Sequence, residues 1–189
     1  MFILAKTYTM EIAGVKRELP LCAVSDKLDI AAFILFGDVE ITVRAAEELL
    51  KKCPEFDYIL TPEAKSIPLA YEMARQRGGE RWLLARKAPK LYMRDVLKCE
   101  VRSITTDANQ VLYLDGYDAA YMRGKRVLIV DDVISTGESL HALETLVHEA
   151  GGKVVGKMAV LAEGDATERE DILYLEKLPL FNAEGKPID

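Results

Sequence analysis

The chain has 189 residues and a formal net charge of −6, a length that suits one compact domain. Half of the residues are hydrophobic and 30% are charged, so a sizeable core can form, and no apolar run approaches the ~20 residues of a membrane span. The acidic balance argues against a general nucleic-acid binder.

Met1–Met10 carries Lys6 in a very short apolar stretch without a small-residue cleavage pattern, so no signal peptide is expected. Cys22, Cys53 and Cys99 are widely spaced and form no CxxC pair. They read as free thiols in a reducing cytoplasm. The first regular element in the pattern is a helix from Asp38 to Lys52, with Val39, Val43, Ala46, Leu49 and Leu50 at helical spacing, ended by Cys53-Pro54. A short buried strand follows at Phe56–Leu60. Ile67–Arg77 is a helix closed by Gly78-Gly79, and Trp82–Ala85 is another short strand. Val96–Thr105 and Gln110–Leu114 are strand-like and can pair as a hairpin.

From Arg81 to Arg102 there are seven basic residues and only two acids, Asp95 and Glu100, a local charge of +5. A basic island in an acidic chain suits a compact polyanion, although a solvated basic face reads equally well on charge alone.

The continuous apolar run Val127–Val130 fits a parallel strand covered on both faces. The helix Ser139–Ala150 and the strand Val154–Leu161 complete a βαβ crossover. The expected class is therefore α/β with a mainly parallel, twisted sheet flanked by helices. Its core runs from about 36 to 161. Residues 1–35 and 162–189 do not continue the alternation and are expected to fold together as a small cap.

Between that strand and helix stands Asp131-Asp132-Val133-Ile134-Ser135-Thr136-Gly137-Glu138-Ser139. A loop entering a helix N-terminus offers free N–H groups and a favourable dipole to a phosphate. Ser135, Thr136 and Ser139 add hydroxyls, and Gly137 permits close backbone approach. Adjacent carboxylates repel phosphate but accept hydrogen bonds from vicinal sugar hydroxyls, or from the waters of a hydrated Mg²⁺. Either acid alone reads as a turn residue. The full arrangement describes a ribose 5-phosphate site.

Val127–Ser139, VLIVDDVISTGES, resembles the signature of type I phosphoribosyltransferases for 5-phosphoribosyl 1-pyrophosphate (PRPP) over all thirteen positions. Glu138 stands where the family often has glycine. The resemblance implies that Ser135, Thr136, Gly137, Glu138 and Ser139 hold the 5′-phosphate, and that Asp131 and Asp132 hold the ribose hydroxyls. Thr61–Pro68 resembles the family's pyrophosphate loop, with Ala64, Lys65 and Ser66 at its centre. Arg86-Lys87 resembles its pyrophosphate-binding pair, with Lys90 close by. Asp95–Leu114 resembles its mobile hairpin lid, on which Tyr92, Ser103, Thr105 and Thr106 are candidate PRPP contacts. The match covers roughly 35–161 and is most similar to the adenine and xanthine branch.

The resemblance further implies purine salvage with Mg²⁺ carried by PRPP near Asp131 and Asp132, no direct metal ligand, and a homodimer. For the base, Val133, Glu163 and Phe33 are the candidates, with Phe36 and Phe181 also able to stack. A 6-oxopurine enzyme wants a lysine just after Leu161, where this chain has Ala162-Glu163-Gly164-Asp165. An acid there can accept from the amine of adenine. Asp132 and Asp107 are the candidate general bases. His141 and His148 read as helix-surface residues. A xanthine or hypoxanthine/guanine transferase and a PRPP-sensing regulator remain the alternatives. A dinucleotide enzyme is not supported, because no GxGxxG follows a strand.

Overall fold

The computed structural model describes residues 6–101 and 110–188. In chain order the elements are β1 (Thr7–Ile12), β2 (Val15–Ser25), β3 (Leu28–Ala31), α1 (Val39–Lys52), β4 (Tyr58–Pro62), α2 (Ile67–Gln76), β5 (Leu83–Ala85), β6 (Leu97–Val101), β7 (Gln110–Leu114), α3 (Gly116–Met122), β8 (Arg126–Ile134), α4 (Glu138–Glu149), β9 (Lys153–Glu163), a 3₁₀ turn (Gly164–Glu168), β10 (Leu173–Leu178) and β11 (Leu180–Phe181).

Five strands in the order β10-β9-β8-β4-β5 form a wholly parallel sheet. Val127, Leu128, Ile129 and Val130 at its centre are all fully buried. Strand alternation sends Leu128 and Val130 to one face, against Ile41 and Leu49 of α1 and Leu69 and Met73 of α2. Val127 and Ile129 go to the other face, against Leu140, Leu143 and Leu146 of α4. This two-sided burial is why the strand reads as an unbroken apolar run. Asp38 caps α1 by accepting from Ile41 N, and it is itself held by Arg17 Nε at 2.6 Å.

The cap is a four-stranded antiparallel sheet, β1-β2-β3-β11. Its C-terminal contribution is smaller than expected. β9 runs on to Glu163, and β10 joins the parallel sheet beside it, so the core continues past residue 161 and only β11 crosses to the cap. β10 hid from the sequence because LYLEKL is an edge strand with charged residues among its leucines. The short helix α3 was not expected either. Its GYDAAYM sequence is too brief to show a helical period.

β6 and β7 pair as the expected hairpin. Leu112 and Leu114 of β7 are buried against the α4 side of the core. Tyr113 exchanges both backbone hydrogen bonds with Arg86, at 2.7 and 2.8 Å. Ser103, Thr105, Thr106 and Asp107 lie outside the described residues. No helix of the described residues is long and apolar enough to cross a membrane.

Candidate active site

The carboxyl ends of β4, β5 and β8 converge, and the chemistry-bearing loops leave from them, as ligand loops do in open α/β sheets. Thr61 Oγ1 donates to Val130 O at 2.8 Å and fixes the ends of β4 and β8 side by side.

After β8 the chain turns through Ser135 and Thr136 to Gly137, which takes φ +80° as the N-cap of α4 and makes no side-chain cap bond. The first turn of α4 therefore receives no side-chain cap from its N-cap residue. A recess of about 60 Å³ opens there, lined by Asp131, Ser135, Thr136, Gly137 and Ser139 among others. A second cavity, of about 380 Å³, shares Asp131, Val133 and Ser139 with it and adds Asp132, the loop Glu63–Ser66 and Lys87. The two form one continuous trough along the ends of the strands.

Asp132 is 4% exposed. Lys65 Nζ stands 2.7 Å from its Oδ2, but no directed hydrogen bond reaches that oxygen. Asp131 Oδ1 accepts from Asp132 N at 2.8 Å. Burial, reinforced by the neighbouring Asp132 charge, pushes the Asp131 carboxyl well above the usual carboxylate range. Ser66 Oγ donates back to Pro62 O at 3.0 Å rather than capping α2. The Glu63–Ala64 peptide bond is cis.

Glu63, quoted in the loop but given no role by the sequence, ties the loop after β4 to the turn after β5. Its Oε1 accepts from Arg86 Nη2 and its Oε2 from Lys87 N, both at 3.0 Å. Arg86 Nη1 donates to Tyr92 Oη at 2.8 Å. Arg86 Nε and Asp132 Oδ2 are the two buried side-chain polar atoms without a hydrogen-bond partner among the described residues. Both belong to residues of this site.

The trough thus gathers Asp131, Asp132, Val133, Ser135, Thr136, Gly137, Ser139, Ala64, Lys65, Ser66 and Lys87, with Arg86 beside Lys87, whereas Glu138 does not line it. Lys90 is exposed in the turn that follows, its N–H facing Met93 Sδ, and does not line the trough. Glu163 ends β9, one strand away from Asp131 and Asp132. Phe33 requires correction. It is 3% exposed and packs in the core with Phe181, so neither ring offers a face to a base. Phe36, three residues on, is 52% exposed. His141 and His148 lie on the exposed face of α4.

A further cavity, of about 620 Å³, lies at the opposite end of the sheet, among Phe56, Asp57, Arg77, Arg81, Tyr121 and Arg126. Its arginines are taken up by Glu55, Asp57 and Asp118 and by the rings of Phe56 and Tyr121. It is remote from the loops that follow β4 and β8.

A parallel sheet with a hydroxyl-rich helix N-terminus, an acid pair and a cationic loop at its carboxyl edge defines an α/β domain of the ligand-binding kind. The phosphoribosyl transferase domain family matches residues 38–182, and the chain belongs to that family. It is an enzyme of the pentosyltransferase type. It is 31% identical over 140 residues to the adenine phosphoribosyltransferase of Petrotoga mobilis, covering 71% of this chain and 74% of the relative. It is 36% identical over 109 residues to the hypoxanthine/guanine phosphoribosyltransferase of Methanosarcina mazei, covering 58% and 53%. The fold is that of the crystal structure of adenine phosphoribosyltransferase from Thermoanaerobacter pseudethanolicus, with a TM-score of 0.66, 24% identity and coverage of 76% and 84%.

Proposed function

We propose that the trough binds PRPP and that the protein transfers its phosphoribosyl group to a purine, adenine before the others, releasing pyrophosphate. The observation that carries this reading is Arg86 Nε, a buried N–H without a hydrogen-bond partner, in one site with the nearly buried Asp132 carboxylate, whose Oδ2 is ion-paired with the half-exposed Lys65. A guanidinium N–H without a partner beside a carboxylate answered by a surface lysine suits a ligand with both phosphoryl acceptors and hydroxyl donors. PRPP has both.

In this reading the amides and hydroxyls of Ser135–Ser139 hold the 5′-phosphate. Asp131 and Asp132 accept from the 2′- and 3′-hydroxyls of the ribose. The Ala64–Ser66 loop, Arg86 and Lys87 receive the pyrophosphate, whose negative charge grows as the bond to C1′ breaks; preorganised cations at that end lower the barrier. Glu63 yields its place on Arg86 and Lys87 N to the incoming phosphoryl oxygens. The β6–β7 hairpin shields the sugar from water. Val133 and exposed Phe36 border the base, and Glu163 accepts from the amine of adenine.

The residues fit a cation that arrives on its substrate. The described residues hold no cluster of three or more ligating side chains, but the adjacent carboxylates can order the waters of a hydrated ion. Mg²⁺ bound to PRPP would neutralise part of the charge of the departing pyrophosphate. The working form is a homodimer in a reducing compartment, a reading supported by exposed Leu91 and Tyr92 and by three free thiols.

Pyrophosphate release with PRPP, Mg²⁺ and adenine, hypoxanthine, guanine or xanthine in turn tests the proposal. Turnover fastest with adenine is expected. The relative named for hypoxanthine and guanine makes those bases the second reading, and the same assay decides between them.

A further inference from the structure

The phosphate loop carries no cation of its own. From Ser135 to His141 the one fully charged side chain is the acid Glu138, and Asp131 closes the near side of the recess. A phosphate dianion placed there would meet amides, hydroxyls and carboxylates. The fold brings a cation to it from elsewhere in the chain. A side chain built on Gly137 would collide with Nη1 of Arg169, so that nitrogen lies against the loop backbone at the N-cap of α4.

Arg169 is aimed by its surroundings. It follows the 3₁₀ turn, whose Ala166 is fully buried and whose Thr167 carbonyl accepts from Tyr174 Oη at 2.9 Å. Asp171 takes two of its nitrogens in a fork, Nε at 2.9 Å and Nη2 at 2.8 Å. Asp171 is held in turn by Lys157 of β9, and Lys157 by Glu144 of α4 at 2.8 Å. This relay ties the guanidinium to two core elements and consumes every nitrogen except the one at Gly137. A planar guanidinium fixed on one edge and open on the other matches a phosphoryl group better than a flexible lysine does.

We propose that Arg169 is a binding residue for the 5′-phosphate of PRPP, supplying through Nη1 the positive charge that the loop lacks. The inference rests on the PRPP reading of the trough and extends it to a residue thirty positions beyond Ser139. It also gives a reason for Gly137 besides its φ: a side chain there would displace the guanidinium.

The test is calorimetric titration of wild type, Arg169→Ala and Arg169→Lys with ribose 5-phosphate and, separately, with pyrophosphate, alongside rates at varied PRPP. For Arg169→Ala the affinity for ribose 5-phosphate should fall and KM for PRPP should rise, each by roughly tenfold or more. Its kcat should stay within about threefold and its pyrophosphate affinity should be unchanged. Arg169→Lys should recover part of the loss. Ribose 5-phosphate affinity equal to wild type in Arg169→Ala overturns the inference, as does an equal loss for both ligands, which would mark a structural role. If Arg169→Ala does not fold, Asp171→Asn carries the test: it keeps the guanidinium but releases its anchor, and should weaken ribose 5-phosphate by about threefold while sparing pyrophosphate. No change there also overturns the inference. Wild type that binds neither ligand overturns the PRPP reading itself, whereas wild type that binds both beside an unaltered Arg169→Ala overturns only the role of Arg169.

Discussion

Lys65 Nζ and Asp132 Oδ2 stand 2.7 Å apart across the trough and join the loop after β4 to the acid pair after β8. Two candidate binding groups are thus each other's counter-ions, one nearly buried and one half exposed. A substrate that brings hydroxyls to the acid and phosphoryl oxygens to the lysine can replace this one contact with several.

Replacing both acids, Asp131→Asn with Asp132→Asn, should lower kcat/KM at least about a hundredfold while the protein stays folded. The sign of the stability change follows from Asp131. Its folded-state pKa is raised by burial and then by Asp132, so the stability this group contributes is full below the unfolded carboxylate pKa and is lost as pH rises through the folded value. At neutral pH an amide there removes a cost. The melting temperature of the double variant should equal or exceed that of wild type, as differential scanning calorimetry would show. Near-normal turnover would refute the ribose assignment.

Glu63 occupies Arg86 and the Lys87 amide, where pyrophosphate is proposed to bind. Glu63→Gln keeps the size and loses the charge. Pyrophosphate should then bind about three- to tenfold more tightly, because no anion competes for the cations. Product-inhibition constants would register this. Weaker binding would show that the glutamate orients the arginine rather than competing for it.

Asp57 tests electrostatics away from the site. Its carboxylate accepts from Arg126 Nη2 at 2.9 Å and from Arg126 N at 2.8 Å, and the Arg126 guanidinium holds its pKa down to about 2. A depressed acid contributes stability above its unfolded pKa and loses it as pH falls through the folded value. Between about pH 4 and pH 2, Asp57→Asn should therefore lose less stability than wild type. The pair is exposed, so added salt should shrink the difference. Urea melts across that range would measure both effects.

Phe33 and Phe36 separate core from ligand surface. Phe33→Ala empties a core position and should cost about 3–5 kcal/mol in chemical denaturation. Phe36→Ala should leave stability within about 0.5 kcal/mol and raise KM for the purine. Unchanged purine KM would remove Phe36 from the base pocket.

What the sequence revealed followed contiguity. VLIV followed by DDVISTGES packs strand, acids and the proposed phosphate loop into thirteen residues, and two-sided burial makes the strand legible without any partner. Long-range pairing was not legible. Whether LYLEKL closes the parallel sheet or joins the cap depends on β9, not on its own residues. Phe33 and Phe36 are alike in composition and neighbourhood, and only the packing of the cap decides which one is buried. Glu63 and Arg169 escaped for the same reason, since their partners are set by the meeting of β4 with β5 and of the segment before β10 with the N-terminus of α4.

The exchange of two backbone hydrogen bonds between Arg86 and Tyr113 has a mechanical meaning. Arg86 and the root of the hairpin are stitched into a single piece of ribbon. A displacement of β7 is therefore shared by Arg86, so under the proposed PRPP reading covering the trough and tightening the grip on pyrophosphate become one movement.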